Sequence, residues 1–124
     1  MFHADHTAAQ VIAYLSIGAF YLIIGLRNLS LRENHVAKFE KLGIPWPSGF
    51  LMAGFTFQFA GALMVIADFH AAAGAGLLIV FTILANALYH RWWKMADASL
   101  RRTHMNYFFN NTGNLGGLLL IVSA

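Results

Sequence analysis

The chain has 124 residues, of which 59% are hydrophobic and 10% charged, against roughly 25% charged in an ordinary soluble domain. A soluble chain this short lacks the volume to hide so much apolar surface, which excludes a water-facing globular enzyme and makes a bilayer the expected surroundings of a single domain. With no cysteine there is no disulfide, thiolate nucleophile or Cys-ligated metal or iron–sulfur site, and a net charge of +3 spread over two loops is no nucleic-acid footprint.

Met1 to Gln10 contains no Lys or Arg and so lacks the positive region of a cleaved secretory signal. The apolar run Ala8–Leu26 is therefore read as a retained first helix. A helical span needs about 20 mostly apolar residues. Gly49–Ala67 and Ala71–Tyr89 satisfy this, and Tyr107–Ser123 is a shorter fourth segment carrying three asparagines, Asn110, Asn111 and Asn114. These runs are continuously apolar, without the alternation of barrel strands. The expected fold class is thus all-α, an integral membrane bundle of four transmembrane helices.

Between the first two spans, Ser30-Leu31-Arg32-Glu33 fits a capping box. Gly43 can supply a left-handed C-terminal cap, and Pro45 stops further helix. Leu31, Val36, Phe39 and Leu42 share one face, and Glu33, Glu40 and Lys41 the other. The segment 31–42 is expected to be a short amphipathic interfacial helix in the headgroup plane. Trp46, Trp92 and Trp93 are expected interfacial anchors. The short turn Asp68-Phe69-His70 makes the second and third spans an antiparallel hairpin.

All 8 Lys and Arg fall in two places. Arg27, Arg32, Lys38 and Lys41 follow the first span, and Arg91, Lys94, Arg101 and Arg102 follow the third. The positive-inside rule puts both loops in the cytoplasm and both termini on the periplasmic side of a bacterial inner membrane, which requires an even number of spans.

Helices associate in lipid through close packing and a few polar contacts. Gly18 and Gly25, Gly54 and Gly61, and Gly113 and Gly117 are expected seams for neighbouring helices. Gln58 lies at the middle of the second span. Thr82, Asn86 and His90 step by four along the third, and Asn110 and Asn114 along the fourth; such spacing puts side chains on one face. If these faces converge, Gln58, Asn86, His90, Asn110, Asn114 and Arg27 form a polar pocket in the cytoplasmic half, suited to a quinone headgroup or a phospholipid phosphate. The competing reading is interhelical hydrogen bonding alone. No Asp or Glu lies in a span core, against a proton pump or ion-coupled transporter. His35, His90 and His104 group near one membrane face and His3, His6 and His70 near the other. None lies at the depth that shields a haem, and interfacial histidines are mostly solvated or capping groups, so neither an intrinsic cofactor nor a metal site is expected.

The chain resembles the DoxX family of small four-helix membrane proteins over nearly its full length. The resemblance rests on Gly18, Phe20, Gly25 and Arg27 in the first helix, then Phe39, Leu42, Gly43, Ile44 and Pro45 in the loop. It continues with Gly54, Gln58, Gly61 and Leu63 in the second helix, a third helix ending near His90, and Asn114-Leu115-Gly116-Gly117-Leu118-Leu119-Leu120 in the last. Gln58 stands where the family often has a glutamate, which removes proton transfer at that position. The family includes the membrane subunit of a thiosulfate:quinone oxidoreductase, so the resemblance implies a membrane-embedded partner of a redox assembly. The expected function is a non-catalytic accessory subunit of a larger bacterial electron-transfer complex, respiratory or photosynthetic, packed at its periphery against lipid or quinone. The alternative is the membrane subunit of a quinone-reducing oxidoreductase, with its headgroup site among the polar residues above.

Overall fold

The computed structural model describes residues 1–124. It is all-helical: α1 (Ala8–Ser30), α2 (Arg32–Lys41), α3 (Pro47–Ala67), α4 (Ala71–Leu88), a 3-10 turn over Trp92–Lys94, and α5 (Ala98–Ser123). Three segments, α1, α3 and α4 with its extension to Lys94, are long and apolar enough to cross a membrane. Only 21 of the 124 residues are buried. Large apolar side chains such as Ile12, Ile23, Leu63 and Leu120 point outward, the reverse of a soluble surface. The protein is a membrane protein.

The helix ends follow local chemistry. Thr7 caps α1: its hydroxyl accepts from the Gln10 amide at 3.2 Å, and the Gln10 side chain accepts from the Thr7 amide at 2.8 Å. This is the reciprocal box expected at Ser30–Glu33, found at the other end of the helix. Ser30 cannot cap α2 because α1 continues through it, one turn beyond Leu26, and its hydroxyl donates to Arg27 O at 2.6 Å. Leu31 alone separates α1 from α2, with no side-chain cap. At the far end of α2, Gly43 takes the expected left-handed conformation (φ 75°). There Ile44 N–H donates to Phe39 O at 3.1 Å, closing the helix as a Schellman turn whose apolar contact joins these two side chains. Pro47 opens α3, where its missing N–H is no loss. Asp97 caps α5, accepting from the Ser99 and Leu100 amides at 2.9 and 3.1 Å, so this helix starts at Ala98, well ahead of Tyr107.

α3 is the central element, packed along α1 on one side and α4 on the other; α4 in turn packs on α5. The main core joins Tyr14, Tyr21, Ala62, Val65, Leu78, Leu118 and their neighbours. A second cluster, Phe39, Leu51 and Phe55, holds α2 against the start of α3. Of the expected apolar face of α2, Val36 and Phe39 pack inward, while Leu31 and Leu42 remain exposed. Trp46, also exposed, adopts a left-handed backbone and lays its ring over Gly49.

Glycine seams explain the close helix approaches. A Cβ on Gly61 would sit 2.7 Å from Gly74 O, and one on Gly74 would sit 2.6 Å from Met64 Cβ. Gly18 faces Ile66 and Ala62, Gly25 faces Phe59 and Gln58, and Gly117 faces Ile17. Gly54 and Gly113, expected in seams, are not tightly packed: Gly54 has only Phe81 at 3.9 Å and Gly113 has nothing within 4 Å.

Candidate functional site

The polar side chains between the helices form separate small networks. Gln58 is fully buried, and its Nε2 donates to Tyr21 O at 2.8 Å. The absence of a side chain at Gly25 makes room for this contact, since the Gln58 amide lies 3.0–3.1 Å from where a Cβ would stand. Gln58 Oε1 has no hydrogen-bond partner. One turn of α4 beyond the core, Thr82 donates to Leu78 O at 2.7 Å. Its single proton is thereby engaged, so Tyr21, whose hydroxyl lies 2.7 Å away, donates to Thr82 Oγ1. Asn86 accepts from Asn111 Nδ2 at 3.0 Å and reaches Phe108 O at 3.4 Å, tying α4 to α5.

The end of the molecule beside α2 gathers a denser set. His90 Nδ1 and His104 Nδ1 stand 3.0 Å apart, with Tyr107 against both rings. His35 Nδ1 pairs with the Tyr89 hydroxyl, and Lys38 Nζ lies 4.2 Å above the Tyr89 ring. Burial, followed by the nearby Lys38 charge, pushes the His35 imidazole below its ordinary pKa; burial alone lowers that of Lys38. His35 Nε2 is buried without a partner. His35 is therefore favoured as a neutral imidazole.

The expected pocket is divided. Asn86 and His90 do lie on the α5 side of α4, as their spacing predicts, although His90 sits past the helix end. Gln58 instead serves the α1–α3 contact. Arg27 is exposed in the last turn of α1. Asn110 is exposed and Asn114 half-buried, and neither side chain bonds to another. The residues that meet α4 are Asn111 and His104. Their spacing of seven, continued by Leu118, was the available signal: all three lie on the inner face of α5, and His104 and Leu118 are buried. The spacing of four between Asn110 and Asn114 runs along the side of α5, from exposed Asn110 to half-buried Asn114.

The opposite end, around the α3–α4 turn, carries a second cluster. His3 and His6 converge there not with His70 but with Asp68. The His3 amide donates to Asp68 Oδ2 at 2.9 Å, His3 Nδ1 is 3.1 Å from His6 Nδ1, and His3 Nε2 is 2.8 Å from Ile66 O. A cavity of about 460 Å³ opens beside it, reached by His6, Asp68, Asp5, Tyr14 and His70.

Chemically, the intramembrane amides and hydroxyls are mostly engaged in joining helices. Ser16, Thr56 and Thr112, on outward faces, return their hydroxyl protons to carbonyls one turn back at 2.7, 2.9 and 2.9 Å, which satisfies them in lipid. Among the side-chain amides of α3, α4 and α5, the unengaged groups are Gln58 Oε1 and those of Asn106, Asn110 and Asn114 on α5. Comparison with protein-family models, with curated proteins and with solved structures finds no match for this chain.

Proposed function

We propose that this protein is a four-span accessory subunit of a larger electron-transfer complex in a bacterial inner membrane. In this reading α5 is the fourth span, α2 lies in the cytoplasmic headgroup plane, and both termini are periplasmic. The observation that carries the accessory role is the outer face of α5. Asn106 and Asn110 are exposed there without hydrogen bonds, and Gly113 and Gly116 have nothing within 4 Å of a would-be Cβ. A bare carboxamide facing hydrocarbon is unfavourable. A neighbouring transmembrane helix relieves it, because glycines admit close approach and asparagine can bond across the contact. The chain contributes packing and peripheral stabilisation and performs no chemistry of its own.

The free amides of Asn110 and Asn114 keep a second reading in view, a quinone or phospholipid headgroup held at that face in a quinone-reducing assembly. One experiment addresses both. A photo-crosslinking residue replaces Asn110 or Gly113 in the chromosomally expressed chain, with lipid-facing Ile12 as the control position. The accessory reading expects an adduct to a different membrane subunit from positions 110 and 113 and none from 12. Adducts to lipid alone, with quinone co-purifying with wild type and lost in Asn110→Leu, would replace it with the headgroup reading.

A further inference from the structure

The His3–His6–Asp68 cluster has the composition and spacing of a metal site. One nitrogen from each imidazole and one carboxylate oxygen lie within 4.8 Å of one another. His3 Nε2 faces a carbonyl, Ile66 O, at 2.8 Å, and a carbonyl accepts only a proton. The ring proton of a neutral His3 is therefore on Nε2, and its Nδ1 lone pair points at His6. This is the backbone-carbonyl orientation that fixes the tautomer of metal-bound histidines. His3 Nδ1 and His6 Nδ1 are 3.1 Å apart and His6 Nδ1 is 3.7 Å from Asp68 Oδ2. Two nitrogens sharing a tetrahedral zinc stand about 3.3 Å apart, given bonds of about 2.05 Å. Without metal, a single proton on His6 Nδ1 bridges the pair; a cation at the same place would bind both rings and the carboxylate.

The surroundings hold these groups in position. Tyr14 packs against both rings, with centroids 5.6 Å from His3 and 4.6 Å from His6. His3 and Asp68 both have left-handed backbones, φ 61° and 50°. The Phe2 amide donates to Asp68 O at 3.0 Å, so the segment before α1 is tied across the α3–α4 turn independently of the side chains. The cavity of about 460 Å³ leaves the remaining coordination positions open to water.

We propose that His3 Nδ1, His6 Nδ1 and the Asp68 carboxylate bind one first-row divalent cation of the zinc type, with the remaining positions held by exchangeable water. Two imidazoles and a carboxylate suit zinc and its neighbours and disfavour calcium and magnesium, which prefer all-oxygen shells. The site needs neither the accessory role nor any redox partner.

The test uses the full chain, purified in detergent without a histidine tag and stripped with chelator. Co²⁺ and Zn²⁺ are the probes, read by metal content after gel filtration and by the visible absorption of Co²⁺. One Co²⁺ per chain is expected, displaced by Zn²⁺ and not by Mg²⁺. His6→Ala and Asp68→Asn should each weaken binding tenfold or more. His70→Ala, and His104→Ala at the other end of the molecule, should leave it unchanged. His6→Cys should keep the metal and add a sulfur-to-cobalt charge-transfer band, a signal that a merely destabilised variant could not produce. Equal binding by His6→Ala and wild type, loss in His104→Ala alone, or absence of the new band in His6→Cys would each overturn the proposal.

Discussion

A hydroxyl has one proton to give, and at Thr82 that proton goes to Leu78 O. Tyr21 is then a pure donor to Thr82, and Tyr21→Phe removes one interhelical bond without stranding any other group. Such bonds contribute about 0.6–2 kcal/mol in lipid, so the variant should lose about 1 kcal/mol in mixed-micelle unfolding. Gln58 is the opposite case. Its Nε2 bond to Tyr21 O contributes in the same range, but its Oε1 is buried and unpaired, at a penalty of about 1–3 kcal/mol. Gln58→Leu, close in volume, removes both, and its stability should equal or exceed wild type by about 1 kcal/mol. A loss above 2 kcal/mol in the same assay would mean that Oε1 is satisfied by something other than this chain. The sequence marks Gln58 as an intramembrane polar residue, but not its partner, a backbone carbonyl made reachable by Gly25.

At the scale of elements, glycine positions were visible in the sequence and their partners were not. Spacing along one helix cannot show which neighbour lies opposite, so it does not single out Gly74 and it places Gly54 and Gly113 in seams. The structure separates them. Gly61→Ala places a methyl group against the backbone oxygen of Gly74 at 2.7 Å. The overpacking of about 1–3 kcal/mol outweighs the gain in helix propensity of about 1 kcal/mol, so α3 and α4 should separate and unfolding should become easier. Gly113→Ala meets nothing within 4 Å, and in the isolated chain only the propensity gain remains. Comparing the two variants in one detergent distinguishes a packed glycine from an open one. α2 yields a pH dependence. Folding lowers the His35 pKa by burial and by the Lys38 charge, so below about pH 6.5 the undocked segment binds the proton more readily than the docked one. Docking is strongest above that pH and weakens as pH falls through it. Both ring nitrogens of the imidazolium are donors, and the buried Nε2 has no acceptor. Hydrogen exchange of the α2 amides, corrected for intrinsic rates, should speed up on moving from pH 7.5 to 5.5 and should lose this pH dependence in His35→Gln.

For the whole molecule, charge placement foretells sidedness more directly than packing does. Every Lys and Arg lies either from the last turn of α1 through α2 or from the end of α4 through the first turns of α5, and packing is indifferent to which membrane face these two regions occupy. The number of crossings turns on α5, a single helix from Ala98 that carries Arg101 and Arg102 near its start and becomes apolar only after Asn106. A helix that crosses puts Ala124 on the same side as Ala4; a helix that lies along the surface leaves Ala124 with the basic loops. The chain has no cysteine, so single cysteines report cleanly. With α5 spanning, Ala4→Cys and Ala124→Cys should react with a membrane-impermeant maleimide in intact spheroplasts, while Asn34→Cys and Ser99→Cys should react only after permeabilisation. All four positions are exposed, so a lack of labelling reflects sidedness rather than burial. Protection of Ala124→Cys until the membrane is opened, with Ala4→Cys reactive from outside, would reduce the spans to three. The Asn106–Asn110–Gly113 face would then lie at the cytoplasmic surface, where water can satisfy its asparagines and the physical case for a partner helix disappears.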